Sequence, residues 1–448
     1  MNTYALHLAL INQTQRVSAS CHIFNSKGRI ILKSGAEFDH EAAKVLSENA
    51  LPKSLEYFVK IENEFDADQL TSVFKGYLRL DPSYCELYEQ QEIDEDIERC
   101  CANICRLDII PQRLTALSIL FPQVFDQALF SAWMILTLLQ RSGAEDKAKQ
   151  AAFSAALCQN IGYMDIAPDI VRKEDEFSDE DERLIQSHPN LGYQILSTIT
   201  GISKETARAV QEHHECMDGS GFPARKVGKQ LSWAGQTINL LDSIHAIYQR
   251  HFKPRKLTLR DTVPIIQMNM LARHGSSVSD LIAFLEPGSR TEQCTVSEED
   301  VPNFVKQLKH QHKNVLHFIE ITQTFLADVG VRHDNARLYA IQNIALHIYA
   351  SMSQAEMINE GYMRWLDQVI TNKLTHAYRE LEDVFLMMQE LLFHIERFRS
   401  QIYPMEKRNT NPKLREPLAK LVSQLEELPK PESQNYTPLV ITNKPEKT

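Results

Sequence analysis

The chain has 448 residues, 43% hydrophobic and 24% charged, the composition of an ordinary globular protein of roughly two to four domains. A formal net charge of −11 argues against broad attraction to nucleic acid or to an anionic membrane surface. No apolar run reaches the ~18 residues of a spanning helix, no basic segment precedes the apolar stretch of MNTYALHLALINQTQRV, and the eight cysteines form no paired CxxC units. These features predict a cytoplasmic protein with free thiols and with neither a nucleic-acid nor a membrane partner.

Residues 1–100 read as a small α+β module. CHIFNSKGRIILKSG places two apolar runs around Asn25-Ser26-Lys27-Gly28, a polar turn that signals a β-hairpin. EFDHEAAKVLSENAL follows with helical spacing at Ala42, Val45 and Leu46, and Asp39 is placed to cap that helix. From 101 to 275 the pattern is helical. Its most unusual segment is His213-His214-Glu215-Cys216-Met217-Asp218-Gly219-Ser220-Gly221-Phe222-Pro223. Adjacent histidines at a helix end can present imidazoles to metal ions. The glycines permit backbone turns that other residues resist, and Pro223 stiffens the loop exit.

After a linker at 276–300, residues 301–403 read as a further helical region. Leu374, Tyr378, Leu381, Phe385, Met388, Leu392 and Ile395 recur in steps of three and four, one apolar helix face for a core or for a partner helix. His310, His312 and His317 do not share a ligand-like spacing and read as solvated. Seven prolines and many charges from 404 to 448 predict a flexible tail.

The segment from His213 to Pro223 resembles the HHExxDGxGYP signature of the HD-GYP family, with Phe222 at the tyrosine. Other landmarks support the resemblance over about 165 residues, roughly 110–275. Ala156-Leu157-Cys158-Gln159-Asn160-Ile161-Gly162-Tyr163 aligns with ALLHDIGK. Pro168 and Lys173 match the IPxxILxK stretch that follows, His188 and Gly192 look like HxxxGxxIL, and Asp242 looks like the late aspartate of ILxVADxFDAL. The resemblance implies a mainly α fold, an HD-type helical bundle, with the α+β module before it and the helical region after it. It also implies a role in bacterial cyclic-di-GMP signalling, a divalent-metal site, and a signalling partner such as a GGDEF-type domain.

The departures bear on chemistry. The name-giving His-Asp pair is Gln159-Asn160, the earlier histidine and glutamate positions fall near Gln127 and Gln123, and the lysine position is Tyr163. An amide offers oxygen without charge, so Asn160 cannot offset the repulsion of two divalent ions ~3.5–4 Å apart. The residual ligand set the resemblance implies is His188, His213, His214 and Asp242. Successive helix positions point ~100° apart, which predicts that His213 and His214 do not serve one ion. Three states of the site stay open: hydrogen-bonded relics, one weakly bound Fe or Mn ion, or a multi-metal centre.

The expected function is a degenerate, non-catalytic regulatory or scaffolding module, with an active metal-dependent cyclic-di-GMP phosphodiesterase as the alternative. Asp218, Gly219, Gly221, Phe222 and Pro223 then form a partner-docking loop, and cyclic-di-GMP is a possible ligand. Lys253-Pro254-Arg255 is similar to a basic family segment near substrate phosphates, or is a solvated turn.

Overall fold

A computed structural model describes residues 3–173, 177–270, 275–290, 296–330 and 335–429. The described residues divide into two compact units, one of 3–214 with 232–246 and the other of 215–231 with 247–429. The boundary falls inside the signature, between His214 and Glu215. No helix among the described residues is long and apolar enough to cross a membrane.

The first unit begins with α1 (Thr3–Ile11), β1 (Val17–Ala19), β2 (Ile23–Phe24), β3 (Ile30–Leu32), α2 (His40–Ser47) and β4 (Val59–Ile61). β2 and β3 pair antiparallel, with Ile23 opposite Leu32, and Gly28 turns the hairpin at φ +75° with its N–H on Asn25 O. β1 pairs antiparallel with β4, with Val17 opposite Ile61. Asp39 Oδ1 accepts from Ala42 N at 2.8 Å and caps α2. That helix buries Ala42, Ala43 and Leu46 but leaves Val45 exposed.

Helices α3 (Ala67–Leu80), α4 (Pro82–Glu89), α5 (Asp94–Ile104), α6 (Ile110–Leu120), α7 (Pro122–Arg141) and α8 (Asp146–Cys158) build the core of this unit. Tyr84, Phe130 and Trp133 cluster there with centroids 5.3–5.9 Å apart. The run continues through α9 (Pro168–Val171), α10 (Asp179–Ile185), α11 (His188–Ser197), α12 (Lys204–Glu212) and α13 (Trp233–Ile247). α7 packs along α8, and α11 packs on α12 and on the 3-10 turn Ile161–Asp165. Glycine is required in that turn, because a Cβ at Gly162 would lie 2.1 Å from His188 O. The packing thereby fixes where α11, and His188 at its start, can sit. The acidic run from Glu174 lies partly outside the described residues, and its remainder opens α10 behind the cap Ser178.

The second unit holds α14 (Val263–Met268), α15 (Gly275–Leu285), α16 (Val301–Val329), α17 (Ala336–Gln354), α18 (Glu360–Thr371), α19 (Tyr378–Arg408) and α20 (Pro412–Glu427). The apolar stripe packs inside this unit, with Leu381, Met388, Leu392 and Ile395 in one core with residues of α16 and α17.

Three expectations are corrected here. The linker at 276–300 contains most of α15, which buries Val278, Leu281, Phe284 and Leu285. The tail from 404 continues α19 to Arg408 and then forms α20, because Leu414, Leu418, Leu421 and Leu425 recur at helical spacing and complete the core; Pro412 sits at its start, where proline costs no hydrogen bond. Residues 430–448 of that tail lie outside the described residues. His312 is 4% exposed, with Nε2 2.6 Å from Met357 O, so it is a core histidine, whereas His310 and His317 are exposed.

Candidate functional site

His188, His213 and His214 come together in the first unit. One ligand atom from each lies within 4.8 Å of the others, and among the described residues this is the one such group of three His, Cys, Asp or Glu. The convergence corrects the expectation that His213 and His214 point apart. His213 is the C-cap of α12 with its backbone still in the right-handed helical region (φ −66°, ψ −10°), and the two rings nevertheless sit 4.1 Å apart.

The backbone aims two of these rings. His188 Nδ1 lies 2.7 Å from Ile185 O, and His213 Nδ1 lies 2.6 Å from Val210 O, each three residues back. A carbonyl only accepts, so each Nδ1 carries the proton and each Nε2 of the neutral ring keeps a lone pair. Those two Nε2 atoms face each other at 3.1 Å. Burial lowers both pKa values, that of His213 to about 4 and that of His188 well below its ordinary value with the His213 charge as a second cause, so neither ring is protonated near neutral pH. Two facing lone pairs repel unless something positive lies between them. Imidazole nitrogens bound at ~2.0–2.1 Å to one ion stand roughly 2.9–3.4 Å apart, which covers the observed separation. The donor set therefore fits one divalent cation.

The rest of the expected ligand set is otherwise engaged. Asp242 lies outside the histidine group, and its Oδ1 accepts from Gln159 Nε2 at 2.9 Å and from Ser131 Oγ at 3.1 Å. Gln159 is fully buried, and its Oε1 has no hydrogen-bond partner. Asn160 is buried at the head of the 3-10 turn. Gln127 is half-buried and Gln123 exposed on α7. Tyr163 is buried and stacks on His188 with centroids 4.1 Å apart. Burial, then the charge of Asp242, raises its pKa, so it stays a neutral phenol where the family has a cation. No carboxylate bridges at 159–160, so the residues present do not fit a two-ion centre of the usual kind.

The signature loop belongs to the second unit. Glu215 is fully buried and accepts from Ala224 N at 2.5 Å and Lys226 N at 3.0 Å, closing the loop on itself. Asp218 bridges Val227 across it. Gly219 has φ +81°, and a Cβ there would lie 3.1 Å from Val227 Cγ2. Gly221 is buried, Phe222 and Pro223 half-buried. Lys253 and Arg255 form an exposed 3-10 turn.

Sequence reasoning missed Ser131 and Asn239. Ser131 stands four residues after Gln127, on the same face of α7. Asn239 Nδ2 donates to His213 O at 2.8 Å, three residues before Asp242 on α13. Helical spacing from positions already singled out would have found both.

Part of the chain is similar to known proteins. The HD domain family matches residues 111–278. A cyclic di-GMP phosphodiesterase of Vibrio cholerae is 29% identical over 112 residues, 23% of this chain and 22% of that protein. A cyclic di-GMP phosphodiesterase of Borreliella burgdorferi is 28% identical over 94 residues, 21% and 24% of the two chains. An HDG"Y"P protein from Bdellovibrio bacteriovorus aligns in structure with a TM-score of 0.33 at 15% identity, over 61% of this chain and 94% of that one. The chain thus spans under a quarter of the length of the two phosphodiesterases it matches. Its helical region around 111–278 is an HD domain of the HD-GYP family.

Proposed function

We propose that this protein is a degenerate HD-GYP module in cyclic-di-GMP signalling, with a regulatory or scaffolding role and no hydrolysis of its own. One observation carries the reading: Gln159, at the histidine of the family's His-Asp pair, donates its amide to Asp242. The late aspartate is thereby held by neutral protein donors, and Asn160 brings no charge in place of the bridging carboxylate. His188, His213 and His214 would hold at most one divalent cation, Fe or Mn by the family resemblance. Such an ion supplies Lewis acidity when bound. The chain's own residues orient the His188 and His213 imidazoles, keep those two neutral and cover one face of His188 with Tyr163. Partner capture, by a signalling protein such as a GGDEF-type domain, and binding of the dinucleotide are the activities this reading leaves.

The alternative, an active phosphodiesterase, draws support from the histidine convergence, since three imidazoles can make a mononuclear hydrolytic site. Incubation with cyclic-di-GMP and added manganese or iron separates the two. The expected result is saturable or absent binding with no linear dinucleotide or GMP released. Turnover that disappears in His213→Ala would establish the alternative.

A further inference from the structure

The signature loop has a set of partners that its own sequence does not announce, all within the second unit. Asn343 of α17 donates Nδ2 to Asp218 O at 3.1 Å. Arg397 of α19 donates to Asp218 Oδ1 at 3.3 Å, and Gln401, one turn further on, donates Nε2 to Ser220 O at 3.2 Å. Ala340 of α17 stands where a side chain on Gly219 would reach, 3.6 Å from the position of a Cβ. The contacts come from one face of each helix: 340 and 343 on α17, 397 and 401 on α19.

Charge makes one of these contacts dominant. Asp218 is 6% exposed, and its Oδ2 is buried with no hydrogen-bond partner. All its donors converge on Oδ1: Ser220 N at 2.9 Å, the Ser220 hydroxyl and Arg397. Arg397 is the cation paired with this carboxylate among the described residues. Without it, a buried carboxylate is left with hydroxyl and amide donors alone, which is the costly way to break a buried pair. Against the cost of burial, Asp218 in turn raises the Arg397 pKa and holds the guanidinium charged.

We propose that the α17–α19 pair is an internal docking site for the signature loop, and that Arg397 is the positioning residue through which the C-terminal helices set the loop's conformation. This rests on the reading that the loop works by binding rather than by catalysis. It adds that the loop's first partner is the chain's own C-terminal region, so that whatever binds or shifts α19 controls how the loop is presented. A foreign partner meets the loop through Phe222 and its neighbours, not through Asp218 or the carbonyl of Ser220, which are already taken.

Amide exchange across 216–228 in the full chain tests this. In Arg397→Met the loop should exchange roughly ten-fold or more faster, the size of a lost charged hydrogen bond, while α7, α8 and α16 keep wild-type rates. Arg397→Lys should recover part of the protection, Asn343→Ala should loosen the loop less than Arg397→Met, and Asp218→Asn added to Arg397→Met should add little. If Arg397→Met unfolds the unit, Arg397→Lys and Asn343→Ala still carry the test through their graded, loop-selective effect. Unchanged loop exchange in these variants, or loosening spread evenly over the unit, overturns the proposal. Cyclic-di-GMP turnover is scored separately, so a failure of the non-catalytic reading does not register as a failure of the latch.

Discussion

The two halves of one eleven-residue signature are held in opposite ways. His213, in the first unit, is oriented locally by a carbonyl three residues back, as is its partner His188. Asp218 to Ser220, in the second unit, are positioned by side chains 125 to 181 residues away. Local orientation survives as long as the helix end forms. Remote orientation needs the whole C-terminal bundle. The histidine group can therefore persist without its neighbouring carboxylates, whereas the loop persists in this form only while α17 and α19 face it. That contrast is the one the proposed function needs, in which the loop works by binding.

Breaking the local half should give the largest effect. His213→Ala removes one of three donors, and affinity for added zinc or manganese should fall roughly 100-fold or more, measured by competition with a chromophoric chelator. Signature-loop exchange in the second unit should stay at wild-type rates. A binding isotherm that does not change would mean the histidines are relics.

The remote half is broken from below. Leu418 is fully buried in α20, which packs on α19. Leu418→Ala should cost about 2–5 kcal/mol in denaturant unfolding of the second unit. It should also loosen the loop while leaving metal affinity unchanged. A cost near zero would return residues 412–428 to the flexible tail that their prolines suggested.

Acid acts on both units through buried neutral histidines, His312 in the second and His7, His188 and His213 in the first. His7 is fully buried with Nε2 2.8 Å from Ile166 O, and burial lowers its pKa to about 4. The unfolded chain protonates His7 near 6.5. Its contribution is thus complete above that pH and is lost as pH falls from about 6.5 toward 4, up to ~3 kcal/mol. Chemical denaturation across this window should show the first unit weakening, and His7→Leu should flatten part of the slope. An unchanged slope would place the acid sensitivity elsewhere.

The smallest effect expected is at the aspartate. Ser131→Ala removes a donor on Asp242 Oδ1 and should cost about 1 kcal/mol. Gln159→Ala should cost more, because Gln159 makes the shorter contact, at 2.9 Å against 3.1 Å. Equal costs would argue against the Gln159 contact as the one that engages Asp242.

Much of this was legible in the sequence for a physical reason. Gly28, Asp39 and the stripe on α19 act through neighbours within a turn or two, and periodicity reports such neighbours directly. The signature and the Gln159-Asn160 replacement were legible because they are contiguous. What stayed hidden depends on side-chain rotamers or on pairing across the fold. The convergence of His213 and His214 on His188 spans 25 positions and turns on side-chain rotamers, which a periodic pattern does not report. The pairing of Arg397 with Asp218 spans 179 positions and leaves no local trace. The tail misled because proline content was read as disorder, although Pro412 only marks a helix start.

The central claim is that neutral residues at 159–160 leave a site for at most one cation and no hydrolysis. Elemental analysis of the full-length protein after anaerobic purification tests it most directly, with the Gln159→His/Asn160→Asp double variant alongside. The account predicts one transition-metal ion per chain or fewer in the wild type, and more in the double variant. Two or more tightly bound iron or manganese ions per wild-type chain would contradict it.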